Sequence, residues 1–90
     1  MNLADRVSLP PQVLARDLGD ETVILDLASG TYFGLDPVGA RIWHLLGEQK
    51  TLGEVCDAMM MEYAVQRADI ERDVIALVET LAAKRLVQIV

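Results

Sequence analysis

The sequence is poor in the residues that carry covalent chemistry, with one cysteine, Cys56, and one histidine, His44, among its 90 residues. One cysteine excludes an internal disulfide framework and fits a reducing compartment, so the cytoplasm is the expected location. One cysteine and one histidine also fall short of a zinc site of the usual ligand spacing. The sequence has no glycine-rich phosphate loop and no Ser-His-Asp pattern. We therefore expect a protein that is not an enzyme and that binds no metal or cofactor.

Basic residues are scarce as well, since eight Lys and Arg stand against 14 Asp and Glu and leave a formal net charge of −6. They are scattered along the chain, and their longest run is Lys84–Arg85. Nucleic-acid binding needs clustered basic side chains that neutralise phosphates, so we expect no nucleic-acid partner. No stretch approaches the roughly 18 apolar residues of a membrane span, and the N-terminus lacks the apolar segment of a signal peptide. A membrane partner is therefore not expected either.

The length of the chain fits one domain, which at this size buries roughly 60% of its unfolded surface. Residues 1–12 are predicted to be an entry segment, because Pro10–Pro11 favours extended backbone and nothing in the segment is periodic. We expect its first residues to fray and residues 13–90 to form the domain. The hydrophobic fraction of 52% is slightly above the usual range, which favours some apolar surface at an interface.

Three segments show the alternation and the flanking turn signals of strands: Val13–Asp17, Thr22–Leu27 and Thr31–Leu35. Short loops containing Gly19 and Gly30 separate them, so the pattern predicts a three-stranded antiparallel meander. In the middle strand, one face carries Val23, Leu25 and Leu27, and the other carries Thr22, Ile24 and Asp26.

Gly34 interrupts the third strand directly after Tyr32 and Phe33. Glycine inside a strand marks either a β-bulge or a place where another backbone approaches closely, and the positional rules favour the bulge. Aromatic residues of strands usually pack inward, so Tyr32 is predicted to belong to the core rather than to a binding site.

Helix-start and helix-stop signals delimit three helices: Asp36–Pro37 with Gly47, the capping box Thr51–Glu54, and a third helix from near Asp69 to about Lys84. Leu86–Val90 follows as a short extended tail or strand. Strands bunched before helices predict an α+β fold, a three-stranded antiparallel sheet followed by three helices, which resembles a winged helix-turn-helix (β-β-β-α-α-α).

Apolar residues at helical spacing predict how these helices pack. Trp43 and Cys56 are expected in the core, Met59 and Met60 are expected to pack, and Met61 is expected to be exposed. The third helix has two adjacent apolar stripes, Ile70-Val74-Leu77-Leu81 and Ile75-Val78-Ala82. Together they are wider than a surface helix of a small domain needs.

Since neither catalysis nor nucleic-acid binding is expected, the class of function that remains is binding of another molecule. The third strand suggests how such binding would occur. An exposed strand edge is either protected or used, and an extended peptide could pair with Thr31–Leu35 while its side chains meet the wide apolar arc of the third helix. Two alternatives stay open, a winged-helix regulator and a protein–protein adaptor that forms a homodimer through the same strand edge. The acidic residues of the third helix, such as Asp69 and Glu79, would be repelled by DNA phosphates, which disfavours the regulator.

One string in the sequence resembles a known family: Leu25-Asp26-Leu27-x-Ser29-Gly30-x-Tyr32-Phe33-x-Leu35-Asp36-x-x-Gly39-x-x-Ile42-Trp43-x-x-Leu46. It is similar to the pyrroloquinoline-quinone (PQQ) biosynthesis protein D family, PqqD, and more so to the stand-alone B1 leader-binding proteins of lasso-peptide clusters. The resemblance implies a RiPP recognition element, a non-catalytic winged-helix-like domain. Such a domain binds the leader segment of a ribosomally synthesised precursor peptide and presents it to a leader peptidase or to a radical modifying enzyme.

The resemblance also implies where the leader peptide binds. It would pair with the third strand and contact one face of the third helix, at Thr31, Tyr32, Phe33, Gly34, Asp73, Ala76, Leu77 and Thr80. On the residues alone, Leu77 could equally be buried, and Asp73 could instead pair with Arg41 or Lys84. The sequence departs from the family at Arg85, where relatives commonly carry glycine, and at Asp36, where they commonly carry asparagine.

Overall fold

The chain folds into a three-stranded antiparallel meander followed by three helices, in a computed structural model that describes residues 1–90. The elements are β1 (Val7–Ser8), β2 (Val13–Leu18), β3 (Glu21–Asp26), β4 (Tyr32–Leu35), α1 (Pro37–Leu46), α2 (Leu52–Glu62), α3 (Arg67–Ala83) and β5 (Gln88–Ile89). The meander has the strand order β2-β3-β4, which leaves β2 and β4 at its edges. The predicted α+β class and element order are confirmed.

Two glycine turns and one buried carboxylate shape the meander. Gly19 and Gly30 have φ angles of +69° and +74°, which glycine adopts without steric cost. Asp26 is buried at the end of β3, where its carboxylate accepts hydrogen bonds from the backbone N–H of Ala28 and from the Ser29 hydroxyl. The turn therefore supplies hydrogen bonds to a carboxylate that would be costly to bury without partners, and it fixes the start of β4.

The ladder between β3 and β4 runs without interruption past Gly34, which lies opposite Val23. The predicted β-bulge at Gly34 is therefore wrong. A Cβ atom placed on Gly34 would have no atom within 4 Å, so neighbouring residues of this chain do not require glycine there.

The helices begin where their caps predict, except α3. Asp36 accepts a hydrogen bond from Gly39 N–H at the start of α1, and Thr51 with Glu54 forms the complete capping box of α2. α3 begins at Arg67, two residues before the predicted Asp69. The Arg67 guanidinium contacts Glu71 at 2.6 Å and Asp57 of α2, and both contacts raise the pKa of Arg67. These contacts join α3 to α2 at the corner between them.

The core lies between the sheet and the helices and contains Trp43, Cys56 and Met59, as predicted. Burial raises the pKa of the Cys56 thiol, which suits a small apolar packing residue. Met61 is exposed as expected, but the prediction that Met60 packs is wrong. Met60 follows Met59 by about 100° around the helix, which turns it away from the apolar stripe.

Two residues of the segment 1–12 form a short strand, β1. β1 pairs antiparallel with β5, with Val7 opposite Ile89, and the Val7 side chain is 1% exposed. The backbone carbonyl of Leu3 also accepts a hydrogen bond from Gly53 N–H at the start of α2. We propose that this segment braces the domain formed by residues 13–90.

The backbone at the end of α3 is left-handed at a residue that carries a side chain. Arg85 has a φ angle of +61°, and Leu86 N–H bonds back to the carbonyl of Leu81 at 2.9 Å. Left-handed backbone costs a residue with a Cβ atom about 1–2 kcal/mol, which glycine does not incur.

A polar contact connects β2 with α1. The Thr22 hydroxyl donates to the Asp17 carboxylate at 2.8 Å, and His44 Nε2 lies 3.1 Å from the same oxygen. The hydrogen bond from Thr22 is the largest single cause that lowers the pKa of Asp17 below its ordinary 3.8, and the hydrogen bond and the charge of His44 lower it as well.

We expect Arg85→Gly to stabilise the domain. Relief of the left-handed strain should raise the free energy of unfolding by about 1 kcal/mol and the melting temperature by roughly 4–8 °C. Arg85→Ala is the matched control, because alanine removes the same side chain but keeps the Cβ atom. Thermal unfolding followed by circular dichroism measures both variants, and an equal gain from Arg85→Ala would contradict the strain argument.

We expect Thr22→Val to raise the pKa of Asp17 towards 3.8, because the Thr22 hydrogen bond is the largest single cause that lowers it. A carboxyl whose pKa is lower in the folded chain stabilises the fold above its unfolded pKa, and that stabilisation disappears as the pH falls through the folded pKa. NMR titration of the Asp17 carboxyl carbon in the wild type and in Thr22→Val measures the shift. An unchanged pKa of Asp17 in the variant would contradict the effect assigned to this hydrogen bond.

Candidate functional site

The two edges of the meander differ in charge. β2 carries Arg16 and Asp17 along its exposed edge, whereas β4 has the sequence Tyr-Phe-Gly-Leu and no charged residue. Charged side chains are a common protection of strand edges against pairing with another chain. The β4 edge is therefore the more open of the two to an incoming strand.

The hydrogen-bond alternation of β3 and β4 determines which backbone groups of β4 are free. Asp26 N–H donates to the carbonyl of Thr31 at 2.8 Å, and the unbroken register then makes Ile24–Phe33 the next hydrogen-bonded pair. The pairs on either side of Ile24–Phe33, which are Leu25–Tyr32 and Val23–Gly34, are the non-hydrogen-bonded ones. The N–H and C=O groups of Tyr32 and Gly34 consequently point away from β3, towards the open edge.

The same alternation sorts the side chains of β4. Phe33 faces the helices and is half-buried against the core, and the Lys84 ammonium lies 5.6 Å from the centre of its ring. Tyr32 faces the opposite side of the sheet and is 73% exposed. The prediction that Tyr32 belongs to the core is wrong. Side chains alternate between the two faces of a strand, and Phe33 is the one that faces the core.

The site residues predicted on α3 lie along one side of the helix. Asp73, Ala76 and Thr80 are exposed, and Leu77 is half-buried against the core. Thr80 donates its hydroxyl to the carbonyl of Ala76, so its side chain lies back along the helix. Leu77 is therefore partly exposed, and an incoming side chain could reach its exposed part.

Asp73 has neither of the ion-pair partners considered for it. It lies 3.6 Å from Arg72 of its own helix, whereas Arg41 is held by Glu62 at 2.7 Å. The Glu62 carboxylate raises the pKa of Arg41, and its own pKa is lowered by the same contact. Asp73 is therefore exposed, and the only cation beside it is on the long, flexible side chain of Arg72.

The strand and helix residues meet at one end of α3. The contact between Phe33 and Lys84 joins them there, and Thr80 lies one turn before Lys84. Asp73 precedes Lys84 by 11 residues and lies about 16 Å from it along the helix axis, at 1.5 Å per residue. The predicted residues thus form an open face that begins at β4 and continues along α3. Lys84 was not among them, although its position four residues after Thr80 was the signal for it.

The outer side of the sheet, which faces away from the helices, is unusually apolar. The antiparallel register aligns Leu14, Leu25 and Tyr32 in one row across the strands and Arg16, Val23 and Gly34 in the next. An open concavity of about 530 Å³ lies over β2 and β3, lined by Leu14, Ala15, Arg16, Leu18, Val23 and Leu25. We call this side of the sheet the outer face. The opposite face of β3, which carries Thr22, Ile24 and Asp26, is the buried one. Its two polar side chains can be buried because they have hydrogen-bond partners.

A second, more polar concavity of about 240 Å³ lies beside Asp17 and His44. His44 is partly exposed, and its ring contacts Asp17. No three His, Cys, Asp or Glu side chains are grouped so that they could hold a metal ion. None of the three helices is both long and apolar enough to cross a membrane.

Comparisons with known proteins agree on one group. Residues 21–87 match the family described as coenzyme PQQ synthesis protein D (PqqD). The fold is similar to a structure of TbiB1 in complex with the TbiA(beta) leader peptide, with 46% identity, a TM-score of 0.83 and coverage of 88% of this chain and 92% of that chain. It is also similar to a lasso peptide synthetase B1 complexed with the leader peptide, with 30% identity, a TM-score of 0.83 and coverage of 91% and 96%. A comparison with curated proteins finds no match.

Proposed function

Because this chain belongs to the coenzyme PQQ synthesis protein D family, we propose that it binds the leader segment of a ribosomally synthesised precursor peptide. Two similar structures, at 46% and 30% identity, are of B1 proteins in complex with leader peptides. The observation that carries the proposal is the β4 edge, which is uncharged and offers the free backbone groups of Tyr32 and Gly34.

The leader would bind as a fourth strand of the meander. Its backbone would form hydrogen bonds with the N–H and C=O groups of Tyr32 and Gly34, continuing the alternation of the sheet. Its alternate side chains on the inner side would meet Phe33 and Lys84 and continue towards Leu77 and Thr80. This arrangement places contacts at Tyr32, Phe33, Gly34, Leu77 and Thr80, and the proposed site also includes Thr31 before β4 and Asp73 and Ala76 further along α3.

The proposed role is presentation rather than catalysis. The residues around β4 and α3 include no nucleophile paired with a base, so this site offers the leader contacts and no bond-breaking group. We propose that a separate enzyme acts on the bound precursor in the cytoplasm. In a lasso-peptide system that enzyme would be a leader peptidase, and in a PQQ-like system it would be a radical modifying enzyme.

We expect Tyr32→Pro to weaken binding of the TbiA(beta) leader peptide by about tenfold or more, because a carbonyl of the leader would lose its N–H partner. The ladder to β3 does not use Tyr32 N–H, and edge strands tolerate proline, so the fold should persist. Tyr32→Val is the matched control, since it removes the same side chain but keeps the N–H group. Fluorescence anisotropy with a labelled synthetic leader measures the affinities.

Equal affinities of Tyr32→Pro and Tyr32→Val would contradict strand addition at this edge. Circular dichroism confirms that both variants are folded. Light scattering on the wild type distinguishes the alternative of a homodimer through β4. A stable dimer that Tyr32→Pro converts to monomer, with no leader binding, would favour that alternative.

We expect Asp73→Asn to weaken leader binding by about threefold, a magnitude typical of one exposed charged contact. The carboxylate is exposed on the side of α3 that continues from β4, and it could accept a hydrogen bond from the leader or pair with a basic side chain. Glu79→Gln is the control, because it removes the same charge about 240° around the helix. Equal losses from both substitutions would indicate a general charge effect rather than a contact at Asp73.

A further inference from the structure

The absence of a side chain at Gly34 has no explanation within this chain. Its φ angle is not positive, the ladder has no bulge there, and a Cβ atom would meet nothing within 4 Å. Glycine also weakens a strand interior, because it packs nothing and loses more conformational entropy on folding than other residues. A glycine of this kind typically marks a place where a ligand or a second backbone approaches.

We infer that the leader residue paired with Gly34 carries a large apolar side chain, aromatic or long aliphatic, that lies across Gly34 and packs on Val23. This inference rests on the proposed function, and it assigns the outer face as a second contact surface for the leader. The site on α3 would read the leader side chains that point inward, and the outer face would read those that point outward.

The geometry follows from the period of two in a sheet. Gly34 and Val23 are directly opposite each other on the outer face, so a strand added at β4 extends the row Arg16–Val23–Gly34 by one residue. Opposite residues have Cβ atoms about 4.5–5.5 Å apart, so only a side chain that crosses the empty place at Gly34 reaches Val23. Large aromatic side chains cover edge glycines in this way in other sheets.

The chemistry of the surroundings selects an apolar side chain. Of the six residues that line the concavity on the outer face, five are hydrophobic and the only charged one is Arg16. Tyr32 borders Gly34 on the same side and is mostly exposed in the free protein. An apolar leader residue would bury part of this surface, whereas an acidic or basic one would lose hydration there without a partner at Val23.

The continuity of the surface identifies the leader as the occupant. The outer face reaches the open edge at Tyr32 and Gly34, and these two residues also supply the free backbone groups. A strand held by those groups must place alternate side chains on this face. No further partner is required to bring an apolar group beside Gly34.

The inference is tested by filling the empty place and then removing the incoming side chain. Gly34→Leu should remain folded, since the added side chain enters open space, and should bind the TbiA(beta) leader peptide about tenfold more weakly. In a glycine scan of that peptide, one position should weaken binding to the wild type by a similar factor. The same peptide variant should bind Gly34→Leu more tightly than the parent peptide does.

Met61→Ala is the control on the protein, because Met61 is exposed on α2 and belongs neither to β4 nor to the outer face. Its affinity for the parent peptide should equal that of the wild type. If Gly34→Leu binds the parent peptide as tightly as the wild type, or if no glycine position compensates it, the inference is wrong while the proposed function stands. If the wild type binds neither the parent peptide nor any scan member, both are wrong.

Discussion

The alternation of hydrogen bonds between β3 and β4 is the constraint on which the candidate site depends. The bond from Asp26 N–H to the Thr31 carbonyl begins the ladder, and the period of two then assigns every group of β4. Phe33 faces the helices, Tyr32 and Gly34 face outward, and the backbone groups of the last two remain free. A shift of one residue in the register would exchange all these roles, since it would turn every side chain of the strand to the opposite face of the sheet.

The strand is held in place at both ends by carboxylates. Asp26 is buried and organises the turn before β4, and Asp36 caps α1 directly after it. The segment is therefore already extended and positioned before any partner arrives. Preorganisation lowers the entropic cost of binding, so a few backbone hydrogen bonds and side-chain contacts can suffice for capture of a flexible leader.

Much of this fold could be predicted from the sequence, because its signals are local. The alternation in β3, the caps at Asp36 and Thr51, and the apolar spacing around Trp43 and Cys56 each act within a few residues. The motif around Gly30 and Tyr32 likewise indicated the family. The features that were missed depend on distant partners. β1 is two residues long and is stabilised by β5 at the other end of the chain, and α3 begins early because Arg67 finds Asp57 in α2.

The candidate site was predictable in its position but not in its orientation. Periodicity shows that Tyr32 and Phe33 lie on opposite faces, but only the register with β3 shows which of them meets the helices. The same limit applies to β3, where the more apolar face was the one left half-exposed. Buried Thr22 and Asp26 are tolerated because Asp17 and the turn at Ser29 supply hydrogen bonds, and such pairing is invisible in the sequence alone.

Amide hydrogen exchange of β4, resolved by NMR with and without the TbiA(beta) leader peptide, tests strand addition most directly. In the free protein, Phe33 N–H should be protected by its bond to β3, whereas the amides of Tyr32 and Gly34 should exchange rapidly. Addition of the leader should slow exchange at Tyr32 and Gly34 and leave Phe33 protected. Saturating leader that leaves Tyr32 and Gly34 in fast exchange would contradict the account, whatever changes occur on α3.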